Sequence, residues 1–247
     1  MTLHRSVAGW PSRLAGHPQL LVLLALLAVQ SVLAFTWVRP GPLSIDEIVY
    51  QWMARSAAEG SPLTISNGYE ELPSPELATP MFMWASRGHL TAQYPLLFPL
   101  AAVPFYSWLG FRGLFLMNAL AFAGVLVLCW RIGFRLLGSA SLALVGCVVL
   151  AGGTYAWEYS MAAWPHMVTL LLQLAAFDLT LSALLGPSED LRLGTAFAAG
   201  ALLGVAAGFR RDAIFLLPVL ALALLFETPA RFRSLGALVL GAVPPLA

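Results

Sequence analysis

Two adjacent carboxylates, Asp46 and Glu47, stand where an apolar block gives way to a polar segment, and a carboxylate there can accept a proton, orient a hydroxyl or hold a cation. Ser44-Ile45-Asp46-Glu47 is also a capping box, in which Glu47 is expected to reach back to the Ser44 backbone. Asp46 falls at the second helical position, where the helix dipole favours its ionised form. Further along, Glu158 and His166 flank Ser160 and Trp164-Pro165, and Arg210-Arg211-Asp212 interrupts two apolar runs. Forked guanidinium groups suit a phosphate, although arginines in such a turn also anchor lipid headgroups. The turn around Glu158 reads equally as plain surface, with Pro165 suited to a first helical position. His89 and Tyr94 complete the set of polar groups that could line one cavity.

The elements that must carry these groups are set by hydropathy. The chain is 60% hydrophobic and only 10% charged, with a mean hydropathy of +0.82, whereas soluble domains carry about 25% charge. Leu20 to Val38, Leu114 to Trp130, Leu142 to Trp157, Met167 to Leu185, Gly194 to Phe209 and Ala213 to Phe226 are almost free of charge and close to the roughly 20 residues that span a bilayer. The expected fold is all-α, a polytopic transmembrane helix bundle forming a single membrane domain over 1–247. Its first helix is an uncleaved anchor with the N-terminus in the cytoplasm.

Residues 39–93 form the one long outer loop, holding six of the twelve acidic residues. Ile45, Ile48, Val49, Trp52 and Met53 repeat at the spacing of a single apolar helical face, and Gly60 stands at a C-cap, so an amphipathic helix is expected on the membrane surface. Pro62, Pro73, Pro75 and Pro80 then predict irregular loop. The block from Tyr94 to Leu109 is short and broken by Pro95, Pro99 and Pro104. If it dips in from the outer side without crossing, Arg5, Arg13, Arg131, Arg135, Arg192, Arg231 and Arg233 fall inside and the other six of the thirteen arginines outside. That gives seven crossings, the last of them incomplete at Ala247, as in an N-terminal fragment.

Other chemistry finds little support. Net charge is +1 without a basic run, which argues against a nucleic-acid partner. Cys129 and Cys147 lie within apolar helices and suggest no disulfide framework. No phosphate-binding glycine loop, dinucleotide fingerprint, zinc spacing or nucleophile elbow occurs in a suitable context. Asp178, buried in a predicted helix, needs a partner or a proton, because a carboxylate at such depth costs on the order of 2.5 to 3.5 kcal/mol. A structural role is the preferred reading for it.

The order of features, however, is telling. An anchor helix, Asp46-Glu47, Tyr94-Pro95, Pro104-Phe105-Tyr106, Gly110, Arg112-Gly113 and Asn118-Ala119-Leu120 resembles the GT-C class of polyprenyl-phosphate-sugar-dependent glycosyltransferases. Glu158-Tyr159-Ser160 with Trp164-Pro165-His166, then Gly200 through Gly204, Gly208 and Arg210, resembles its second outer turn and its glycine-rich helix. The likeness runs over most of residues 20 to 227 and is nearest the protein mannosyltransferase and aminoarabinose transferase branch. The sequence departs from that pattern at Pro95-Leu96-Leu97 and at His166.

The resemblance implies transfer of a sugar from a polyprenyl-phosphate donor to a hydroxyl of a glycan, lipid or protein, in a bacterial cytoplasmic membrane with the site facing outward. Asp46 is then the first catalytic candidate, with Glu47 and Glu158 behind it. Tyr94, His89, His166, Arg210 and Arg211 are candidate substrate contacts, and a divalent cation on Asp46 is an open alternative to a purely protonic role. A phosphate leaving group needs positive charge more than a proton, and the attacking hydroxyl needs a base. The rival class is a transporter or transporter subunit, whose substrate path would use Asp178 and the outer arginines.

Overall fold

The computed structural model describes residues 18–36, 41–61, 64–65, 83–86, 89–185, 188–227 and 231–246. Among them are ten α-helices, one 3-10 turn and one two-stranded sheet. The helices are α1 (Pro18–Thr36), α2 (Ile45–Ala58), α3 (Leu97–Leu109), α4 (Phe111–Leu137), α5 (Ala140–Gly153), α6 (Ala156–Ser160), α7 (His166–Leu185), α8 (Glu189–Phe209), α9 (Leu216–Glu227) and α10 (Arg231–Leu246). Three of them, α4, α7 and α8, are long and apolar enough to cross a membrane.

Each apolar stretch expected to be helical is helical over its described residues, apart from two displaced ends. The stretch ending at Trp157 breaks earlier, at Gly153, because Thr154 turns extended and its hydroxyl bonds back to the Leu150 carbonyl. The stretch beginning at Ala213 starts as a 3-10 turn, Arg211–Phe215, so α9 opens only at Leu216. The proline-rich block from Tyr94 is a 13-residue helix, α3, in which Pro99 falls in the first turn, where a missing N–H is tolerated, and Pro104 inside. Gly110, at φ 58°, lets the chain turn from α3 straight into α4.

The expectation of irregular loop after Gly60 is overturned over residues 83–86 and 89–92. Met83–Ser86 (β1) and His89–Ala92 (β2) pair antiparallel, and Ile65 bridges to Leu90. Met83 and Leu90 are buried in the same apolar cluster as Val49, Tyr50 and Met53 of α2, and strands this short cannot be separated from loop by periodicity. Pro62, Pro73, Pro75 and Pro80 lie outside the described residues.

The amphipathic helix forms as expected, Glu59 capping it and Gly60 following at φ 85°. Its buried face is turned from the expected one. Glu47, Val49, Tyr50, Met53 and Ala54 are buried, whereas Ile45 is exposed and Ile48 and Trp52 sit at the edge. The shift follows from packing on α3 and β2, where the smaller Ala54 and the ring of Tyr50 make the closer fit.

Asp178 has its partners. Arg131 and Arg135, one turn apart near the end of α4, meet its two carboxylate oxygens at 3.0 and 2.6 Å, and Arg135 also donates to Ser182 Oγ at 3.1 Å. The polar cluster ties α4 to α7 at the end opposite the loop helix. On the far side, α8 and α10 touch backbone to backbone: a methyl group at Gly200 would overlap Leu238, and one at Gly241 would overlap Phe197.

Candidate functional site

The site is built on the turn Ala162–Trp164, which two buried side chains grip from opposite directions. Glu47, 1% exposed, accepts the Leu43 N–H through Oε2 at 2.7 Å and the Ala163 N–H through Oε1 at 3.0 Å. Asn118, fully buried on α4, donates from Nδ2 to the carbonyls of Ala162 at 2.6 Å and Trp164 at 2.7 Å. The capping box is therefore half as expected. Ser44 Oγ accepts the Glu47 N–H at 3.2 Å, but the Glu47 carboxylate passes over the Ser44 backbone to Leu43 and spends its other oxygen on a turn 116 residues away. Trp164 closes the ring by donating its indole N–H to Ser44 Oγ at 3.3 Å.

With the start of α2 fixed in this way, Asp46 is presented to Tyr94, whose hydroxyl donates to Oδ1. The Tyr94 ring stacks on Tyr50, centroids 4.7 Å apart, and Tyr50 packs edge-on against Phe98. Burial, and for Tyr94 also the hydrogen bond to Asp46, push both phenols above the ordinary tyrosine range, so both stay protonated. Tyr94 is thus a fixed donor and Asp46 the acceptor.

The cationic half comes from the ends of α7 and α8. Arg210 donates to Asp212 through a fork, Nε to Oδ1 at 3.0 Å and Nη2 to Oδ2 at 2.7 Å, while Nη1 donates to His166 Nε2. A guanidinium can only donate, so Nε2 must offer its lone pair and the proton of a neutral imidazole sits on Nδ1. That Nδ1 is buried and has no hydrogen-bond partner among the described residues. The hydrogen bond from Arg210 holds Asp212 below the usual carboxylate range, and in turn Asp212 raises Arg210. Tyr159 stacks on the His166 ring at 4.3 Å. Between these groups lies a cavity of about 180 Å³ lined by His166, Thr169, Gln173, Arg210, Asp212 and Ala213.

The two halves meet through Trp164, whose indole N–H donates to Ser44 Oγ at 3.3 Å and whose ring lies 5.6 Å from that of His166. Of the residues expected from sequence, Asp46, Tyr94, His166 and Arg210 come together, with Glu47 beneath them as a clamp. Arg211 is exposed on the 3-10 turn. Glu158 is exposed and lines a separate depression beside α1 and α5. His89 lies on β2, and its side chain is outside the described residues. Asp46 is the carboxylate free to meet a cation here, Asp212 being taken by Arg210; no group of three His, Cys, Asp or Glu side chains among the described residues converges on a metal position.

Three contributors escaped the sequence reading. Tyr50 could have been found, for it stands four residues after Asp46 on the same helical face. The roles of Asn118 and Tyr159 depend on partners 44 and 7 residues away, through a turn that no local pattern announces. The chain matches no protein-family model, no curated protein and no solved structure.

Proposed function

We propose that this chain is the catalytic part of a multi-pass membrane glycosyltransferase that moves a sugar from a polyprenyl-phosphate donor to an acceptor hydroxyl at the outer face of a bacterial cytoplasmic membrane. The observation that carries the reading is that one carboxylate, Asp46, held by Tyr94, and one guanidinium, Arg210, held by His166, stand at the same end of an apolar bundle, linked through Trp164, which donates to Ser44 and whose ring lies 5.6 Å from that of His166. Asp46 would take the proton of the attacking hydroxyl or orient it, with Tyr94 fixing its rotamer, a role its hydrogen bond to Tyr94 supports. Arg210 would meet negative charge building on a departing phosphate, exchanging part of its fork to Asp212 for the ligand. The surface helix α2, with Ile45 exposed and Trp52 half-buried, would rest against the bilayer and border the path of the prenyl chain.

A transporter would draw on Asp178 as its substrate path. Both oxygens of that carboxylate are committed to arginines, which supports the transferase reading over it.

The test is transfer of radiolabelled sugar from polyprenyl-phosphate donors in membranes containing the protein, wild type against Asp46→Asn at matched protein level. Transfer by wild type and its loss in Asp46→Asn is the expected result. Equal transfer by both removes Asp46 from the chemistry, and no transfer by wild type with any donor overturns the proposal.

A further inference from the structure

We infer that the depression beside Glu158 is a seat for a single membrane amphiphile with an ammonium headgroup. The depression measures about 550 Å³, within the range of ligand pockets, and lies apart from the Asp46 cluster between α1 and the end of α5. Its wall is hydrocarbon, from Leu26 on α1 and Val148 and Ala151 on α5. Its rim is Tyr155, Trp157 and Glu158, carried on and just before the short helix α6.

The chemistry of the rim selects the headgroup. Glu158 is the one charged side chain lining the depression, it is exposed, and it has no ion-pair partner among the described residues. Tyr155, 74% exposed, and Trp157 line the same depression as that carboxylate. Carboxylate together with aromatic faces is the combination that holds an ammonium ion, by charge and by cation–π attraction. An anionic headgroup would meet an unopposed negative charge. Thr154 offers the ligand little, since its hydroxyl already bonds the Leu150 carbonyl and the Ala156 N–H.

The wall selects the tail. Val148 and Val149 on α5, and Leu24 and Val29 on α1, are exposed apolar side chains, as expected of surfaces facing lipid, so a hydrocarbon chain can enter the depression sideways from the bilayer. The headgroup is then held at the helix ends, the level at which aromatic side chains collect in membranes.

The experiment places the full chain in vesicles of equal phosphatidylethanolamine and phosphatidylglycerol, extracts it in mild detergent and weighs the lipid that stays bound. Phosphatidylethanolamine should be enriched about three- to tenfold over phosphatidylglycerol, the preference expected of one partly exposed ammonium contact. Glu158→Gln, which keeps the shape and removes the charge, should abolish the enrichment, and Leu26→Trp, which fills the wall, should lower bound lipid of both kinds. Soluble glycerophosphoethanolamine, having the head without the chains, should fail to displace it. Equal retention of the two lipids, unchanged preference in Glu158→Gln, or full displacement by the soluble head would each overturn the inference. No sugar donor is present, so the outcome is separate from that of the transfer assay.

Discussion

Replacing Glu47 by glutamine changes one oxygen into an amino group and tests whether this carboxylate holds the site or acts in it. The native side chain accepts two backbone N–H groups, from Leu43 and Ala163, at 2.7 and 3.0 Å in a fully enclosed setting. A glutamine can satisfy one of them and must turn its own N–H₂ toward the other. The loss is one charge-assisted hydrogen bond, about 1.5 to 3 kcal/mol, and the donor left facing a donor adds about 1 to 3 kcal/mol more. Part is recovered by relaxation of the turn, so a net cost of about 2 to 4 kcal/mol is expected. On the scale of soluble domains of this size, that lowers the melting temperature by on the order of 10 °C. The assay is thermal unfolding of the full chain in detergent, followed by the tryptophans, one of which, Trp164, rides on the turn itself. Asp46→Asn serves as the control, because Asp46 makes its contact at the rim of the cluster and should unfold near wild type. A Glu47→Gln variant that melts with wild type yet transfers no sugar would refute the clamp and return Glu47 to the chemistry.

Three further outcomes follow from Tyr94 and the Arg210 pair. Tyr94→Phe should leave the stack on Tyr50 intact and cost under about 1.5 kcal/mol while lowering transfer, as expected if the hydroxyl only fixes Asp46; a cost above about 3 kcal/mol, or transfer equal to wild type, would contradict this. The folded-state pKa of Tyr94 is raised, so its contribution to stability is fully present below the unfolded value near 10 and declines as pH climbs beyond it, to be read from the melting temperature of wild type against Tyr94→Phe in alkaline buffers. For Asp212 the sign is opposite: its folded pKa is depressed, so the stability it contributes is present above the unfolded value of 3.8 and lost as pH falls through the folded one. Asp212→Asn should flatten the acid limb of the melting profile, and a profile identical to wild type would count against the pair.

Most of the helical framework was legible because apolar runs of spanning length leave the backbone few alternatives. The helix at Ile45–Ala58 was legible in its existence and its ends, and not in its rotation. Periodicity defines an apolar stripe of Ile45, Ile48, Val49, Trp52 and Met53, of which Val49 and Met53 are buried, while packing against Phe98 of α3 buries Tyr50 and leaves Ile45 outside. The hairpin at 83–92 escaped for a related reason, since four-residue strands carry too few alternations to register. At the site, Asp46, Tyr94, His166 and Arg210 stood out as polar groups at the ends of apolar runs. Glu158 met the same criterion and went elsewhere, because the break at Gly153 and the short helix α6 turn it toward α1. Asp178 drew attention by its depth, while its arginines looked like ordinary helix-end charges until the parallel course of α4 and α7 set them against it.

The double grip on Ala162–Trp164 also bears on what size of ligand the cluster can serve. Asp46 is fixed to α2, His166 follows directly on the gripped turn, and Arg210 rests on His166, so the carboxylate and the guanidinium are joined through a short chain of contacts that runs over the gripped turn. Such an arrangement behaves as a caliper set to one opening. A ligand reaching from Asp46 to Arg210 must bring its own reacting groups to that separation, and homologous ligands longer or shorter by a bond would be discriminated by strain in themselves, with no pocket wall needed to exclude them.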